Sequence, residues 1–457
     1  MKPSSRLRQT IGLVAVLVAI SLTGDLGKPL AGSYVDGQAR LISIEPLAEM
    51  DAAMCEWEPA SASRLAAPSF LSQQSSGAAA GAPSRTPHDL SQRKPVRMIR
   101  DPYPSFSAIT VDHKNDEVII SDQNLFQLLI YDRRANTPPT AALTEPKRVL
   151  GGDKTEIEFQ VGLYVDPVNG DIYGTNNDTV NKMVVFSRDQ KGNTPPKREL
   201  HTPNGRSFGI AVNEANQEMF LVIQRDNAIV VFPKSAKDND VPLRLLQGDR
   251  TKLADPHDIV IDVKNNLMYV TNYGPTSTTR AANGLKRKSD TWPLSGESVI
   301  PGSGRYDAPS ITVHRMDATG DTPPVRMIQG PKARLNWATG LSLDVERGEL
   351  YVANDQGDEI LVFDSAAQGD AAPKRILKGP KSLVKNPMGV YVDLKNDELW
   401  VANFGNHTAT VYRRTAEGDT PPLRVIRSAP TGSRALMMGN PHPVAYDSSR
   451  DQILVPN

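Results

Sequence analysis

The sequence has one cysteine, Cys55, in 457 residues. That excludes an intrachain disulfide, a covalent c-type haem and a cysteine-based zinc site. It also lacks an excess of charge of either sign: 52 Lys and Arg balance 52 Asp and Glu. A chain so balanced carries no broad basic field, so no nucleic-acid partner is expected. Aromatic residues are scarce, at 6%. No GxSxG, HExxH, Walker loop or dinucleotide fingerprint occurs, so no motif signs an enzyme class. The apolar run at residues 11–22 is too short to span a bilayer comfortably. Preceded by Lys2, Arg6 and Arg8, it reads as the core of a secretory signal over residues 1–31, with no stable transmembrane span after processing.

What is abundant is turn chemistry: 36 Pro and 33 Gly. Residues 32–94 read as a low-complexity linker, because their Ala, Ser, Pro and Gly content offers too little apolar surface to offset ordering entropy. One short piece, ISIE near residue 43, is strand-like.

From residue 95 onward the chain repeats. Seven segments of the type ITVDHKNDEVIISD, IVIDVKNNLMYVTN and VYVDLKNDELWVAN are anchored at Asp112, Asp166, Asn213, Asp262, Asp344, Asp393 and Asp447. Each alternates apolar and polar residues, turns at a polar cluster and alternates again, the pattern of a hairpin. Five carry Asn three residues past the anchor (Asn115, Asn169, Asn216, Asn265 and Asn396), a residue that tolerates the left-handed backbone of a tight turn. A second series of seven, from PVRMI at 95–99 to PLRVI at 422–426, begins with Pro, as an edge strand can. Third strands such as QLLIYD, AIVVF and EILVF lie between the two series. Four short strands per repeat predict an all-β propeller of four-stranded antiparallel blades over residues 95–457. Seven anchors predict seven blades, with six as the alternative, closed by joining N- and C-terminal strands. The Arg of each Pro-x-Arg strand is expected to guard the outer edge against aggregation.

MYVTN at 268–272, with the variants LYVAN, LWVAN and IYGTN, resembles the motif of the YVTN propellers, and the wider grammar is similar to NHL repeats. That resemblance implies the fold. It implies less about function, since propellers of these families include surface-layer proteins, binding scaffolds, lactonases and lyases.

Blade topology sorts the loops onto two faces. One face takes the b-to-c connections, the strand-end residues Asn272, Asn354 and Asn403 with their neighbours Tyr273, Asp355 and Phe404, and the pair His257-Asp258. The same face takes Trp337, His442 and a long insertion at residues 275–308. Aromatic rings beside amides suit a ligand with an apolar face and polar edges. These residues therefore form the candidate ligand site of an exported binding module for a protein, glycan or small polar ligand, periplasmic, cell-surface or extracellular. The alternative is a metal-assisted, lactonase-like hydrolase or lyase in which His257 and His442, with the nearby carboxylates Asp122, Asp258 and Asp355, surround a divalent ion; otherwise no cofactor is expected. Turns of the GDTPP type are expected only to connect strands.

Overall fold

The computed structural model describes residues 101–177, 182–202, 207–224, 226–276, 305–435, 445–447 and 452–454. The proposed signal and linker, most of the insertion, the PVRMI strand and His442 lie outside the described residues.

Six four-stranded antiparallel sheets follow one another along the chain, at residues 106–151, 159–201, 207–247, 256–328, 338–377 and 387–427. They are blades 1 to 6, and all belong to the compact unit Tyr103–Asn457. Within each blade the strands a, b, c and d pair in chain order. Strand a packs against strand a of the next blade, and that of blade 6, Pro387–Asp393, packs against that of blade 1, Phe106–Asp112. Both faces of a blade are thus covered. Strand b of blade 5, Glu349–Asn354, accordingly has all six residues buried.

The ring has six blades where the repeat count predicts seven. The seventh anchor, Asp447, lies in a separate two-stranded sheet, Ala445–Asp447 with Gln452–Leu454. Counting repeats counts sequence, whereas ring membership is decided by which faces fit. Phe106, Ile109 and Val111 of blade 1 share one core cluster with Trp400, Val411 and Ile426 of blade 6, so the ring is already sealed. Polar contacts cross the same seam: Arg133 Nη1 to Glu398 Oε2 at 3.1 Å, and Ser428 Oγ to the Pro104 carbonyl at 3.0 Å. Among the described residues closure therefore uses packing between whole blades; the strand at 95–99, expected to join the C-terminal strands, lies outside them.

The a-to-b turns differ from expectation by one residue. The left-handed position is four past the anchor, held by Asp116, Gly170, Gln217, Asn266, Gly348 and Asp397. The Asn three past the anchor instead engages the anchor itself. Asn115, Asn265 and Asn396 each donate both their backbone N–H and their side-chain amide to the carboxylates of Asp112, Asp262 and Asp393.

The outer edges are guarded differently too. The Arg of strand d reaches back across strand c to the Glu that opens strand b, with two bonds each for Arg148–Glu117, Arg244–Glu218, Arg375–Glu349 and Arg424–Glu398. Such forked pairs are geometrically specific. The edge itself is capped by the c-to-d connection of the next blade. Gly369 donates to the Met327 carbonyl and accepts from Gln329, and Gly418 does the same with Ile376 and Lys378. The Asp of the GDTPP-type turn then fixes the loop beyond: Asp419 Oδ1 accepts from the N–H groups of Lys381 and Ser382 at 2.7 and 3.0 Å. Gly379, at φ 135°, is required there, because a Cβ would sit 2.4 Å from that same carboxylate oxygen. These turns join blade to blade as well as strand to strand.

Candidate functional site

The six inner strands line an axial channel of about 420 Å³. At the mouth bearing the insertion, the residue five before each anchor comes from Ser107, Val161, Phe208, His257, Thr339 and Met388. Equivalent positions on consecutive blades become neighbours, and this brings Phe208 of blade 3 against His257 of blade 4 with ring centroids 4.0 Å apart. On its other side the imidazole stacks on Tyr273 at 3.4 Å and 14°, and Tyr273 stacks on Trp337 of blade 5 at 5.1 Å and 30°. Four rings from three blades thus form one column.

The column is built from loop backbone as much as from strands. Tyr273 follows directly on strand b, Leu267–Asn272, and its N–H donates to the Asp255 carbonyl at 3.0 Å. Trp337 immediately precedes strand a of blade 5 and adopts φ 53°, while its carbonyl accepts from Asp355 N–H at 3.1 Å and from Thr339 Oγ1 at 3.2 Å. That turn aims the indole outward. Phe208, His257 and Tyr273 are buried, but Trp337 is 41% exposed and forms the free end plate of the column.

Polar groups surround the rings. His257 Nε2 lies 3.3 Å from Gln224 Nε2 and 3.5 Å from Asp255 Oδ1. The Tyr273 hydroxyl is 3.3 Å from Thr339 Oγ1, and burial pushes the phenol well above its ordinary value. Burial raises the Asp355 carboxyl to about 6. Asp258 stands in the channel wall, where burial raises its carboxyl to about 7 against the opposing pull of N–H donors from Leu341 and Ile259.

The insertion is rooted beside the column. Gly274, next to Tyr273, takes φ 104° and accepts from Asp307 N–H at 3.0 Å; a Cβ there would collide with the Asp307 carbonyl. Pro275–Thr276 and Arg305–Tyr306 then pair as a two-stranded stem. Residues 277–304 lie outside the described residues.

The structure divides the sequence candidates. His257, Tyr273 and Trp337 meet in the column, Asp355 joins it through the Trp337 carbonyl, and Asp258 lies in the channel wall. Asn272, Asn354 and Asn403 are fully buried strand-end amides occupied by protein. Their side-chain oxygens accept from the N–H groups of Ala254, Asn336 and Lys385, and their side-chain nitrogens donate to Thr312, Arg334 and Thr410 among others. They anchor loops, and a ligand would have to displace those bonds. Phe404 is buried in blade 6, its N–H given to the Asn386 carbonyl. Of the pair His257 and His442, only His257 is described, and its ring is enclosed by two others. Among the described residues no group of three or more His, Cys, Asp or Glu is placed to hold a metal ion. Phe208, Gln224 and Asp255 are additions that sequence reading did not select. Blade equivalence could have nominated Phe208, but side-chain direction is not visible in the repeat.

No protein-family model and no curated protein sequence matches the chain. Among solved structures, the crystal structure of a nidogen/laminin complex matches 71% of this chain and 93% of that one, at 15% identity and a TM-score of 0.41. The assignment as a β-propeller rests on the blades described above.

Proposed function

We propose that this propeller is an exported binding module of the YVTN or NHL type, and that it recognises its ligand at the channel mouth of blades 3 to 5. The observation that carries the reading is the half-exposed Trp337 at the end of an otherwise buried ring column. A large indole plate stacked on Tyr273 at one face and open at the other offers apolar area to the face of a sugar ring, a peptide side chain or a small polar ligand. Asp355 and Thr339 contact the Trp337 carbonyl, Gln224 lies beside His257 further along the column, and the insertion rises from the same mouth. Loops of that length in compact repeats commonly carry function. A metal-assisted hydrolase has no comparable support, because His257 is enclosed by rings and His442 lies outside the described residues.

Glycan-array and pull-down profiling of wild type against Trp337→Ala, and against a protein with residues 275–308 shortened to a four-residue turn, tests the reading. Wild-type ligands should be weakened at least tenfold by Trp337→Ala and lost with the loop, while melting temperatures stay close to wild type. Full retention of every ligand by both variants would move the site elsewhere. Export is tested by fusing residues 1–40 to a reporter, whose retention in the cytoplasm would refute it; among the described residues no helix is long and apolar enough to cross a membrane.

A further inference from the structure

The channel below the mouth has chemistry of its own. Four residues before each anchor, the inner strands carry Ala108, Gly162, Gly209, Asp258, Gly340 and Gly389. The glycines stand where adjacent strands crowd each other: a Cβ at Gly340 would lie 2.5 Å from the Met388 carbonyl, and one at Gly389 would lie 2.3 Å from that of Ser107. Blade 4 alone places a carboxylic acid in this ring of hydrogens and one methyl.

Asp258 is accommodated by reaching across to blade 5. Its Oδ2 accepts from Leu341 N–H at 2.7 Å and its Oδ1 from its own neighbour Ile259 at 2.8 Å. An ionised carboxylate offers about four lone-pair sites, so each oxygen keeps one. Asp258 is half-buried and is the only carboxylate among the described residues that line the channel. The other partly exposed inner-strand side chains lining the channel are apolar or tyrosine, with Val161, Leu163, Val212, Val260, Leu343 and Met388 among them, while His113 and Lys395 line it just past the strand ends, in the a-to-b turns away from Asp258. The volume lies within the range of small-molecule sites, roughly 300–1,000 Å³. A hard divalent cation asks for six or more oxygen ligands, which such a wall does not supply. A cation carrying its own hydrocarbon matches both parts of the lining.

We propose that the axial channel binds a protonated aliphatic amine, its ammonium on Asp258 and its alkyl chain along the apolar wall. The upward displacement of the Asp258 carboxyl by burial agrees with a charge in need of a counter-ion. This inference does not rest on the reading of the Trp337 mouth, and either can fail alone.

Calorimetric titration of the full chain at pH 8 with n-hexylammonium, 1-hexanol and hexanoate tests it. Hexylammonium should bind saturably and at least tenfold more tightly than hexanol, with hexanoate weakest. Asp258→Asn should bring hexylammonium down to the level of hexanol. Asp258→Gly restores the residue that four other blades carry and gives a second variant should the amide disturb folding, which thermal melts would reveal. Val260→Trp should exclude both amine and alcohol by filling the channel. Absence of saturable hexylammonium binding, equal binding of hexanoate, or affinity unchanged in both Asp258 variants overturns the proposal.

Discussion

Blade 6 and blade 4 are built from the same repeat, share its anchor Asp, turn Asn and strand-end Asn, and differ at several other positions that most blades hold alike. Blade 6 has Gly389 on the channel, Glu398 opening strand b, Arg424 paired to it with two bonds, and Tyr412 in strand c. Blade 4 has Asp258, Leu267, an Arg326 that turns to the Tyr269 hydroxyl and the Ser365 carbonyl instead, and His314 in place of the aromatic ring. Burial lowers the His314 imidazole to about 4, which keeps it a neutral core residue. His257, Tyr273 and the insertion belong to blade 4 as well. Repeats within one chain act as each other's controls: where most blades agree on what packing requires, a departing blade shows what was kept for another reason.

The largest effect should come from removing a device that the regular blade relies on. Gly379→Val forces a β-branched residue to φ 135° and drives its Cβ into Asp419, so a loss of about 3 kcal/mol or more is expected in denaturant titration. The same substitution at Gly418, where nothing lies within 4 Å, should cost less.

Next, Glu398→Leu gives blade 6 the residue found in blade 4. It leaves the mostly buried Arg424 without a carboxylate and, across the seam, removes one of the two carboxylates on Arg133, which keeps Asp116. A loss of about 2–3 kcal/mol is expected from leaving the Arg424 guanidinium without a carboxylate partner. Adding Arg424→Met should recover part of it; no recovery would mean that the pair does not account for the loss.

A subtler effect separates the blades by pH. The Asp258 carboxyl is raised to about 7 in the folded protein, above its unfolded value near 3.9. The native state therefore holds the proton over a window in which the unfolded state has lost it, and stability falls as pH rises from about 4 to about 7. Asp355, raised to about 6, acts in the same direction. Glu349, lowered to about 2 by Arg375, acts oppositely and only below that window. Asp258→Gly should remove part of the decline, narrowing the difference between melts at pH 5 and pH 8 by about 1–2 kcal/mol once channel water is allowed for. An unchanged pH profile would show that Asp258 titrates like a surface carboxylate.

The smallest effect is expected at Trp337. Its left-handed backbone suits glycine and its ring is half exposed, so Trp337→Gly should change stability by less than about 1 kcal/mol. A large loss would make the indole a structural plug.

Much of the fold was legible because the period of each strand and the Pro and Asn at its ends are local signals. The blade number was not, since seven anchors in sequence do not say which inner strands meet. Nor was the Arg–Glu fork, whose partners lie two strands apart with no pattern linking them in the chain. For the site, the repeat put His257, Tyr273 and Trp337 on one face but could not show that Phe208 would turn toward His257, or that Asn272, Asn354 and Asn403 would spend their amides on neighbouring loops.

Each c-to-d connection caps the outer strand of the blade before it, so every repeat carries the lid of its predecessor and receives its own from its successor. A unit built this way can be duplicated or deleted whole without leaving an orphaned edge. Repeat number can then change in a lineage by unequal recombination without leaving an outer strand uncapped.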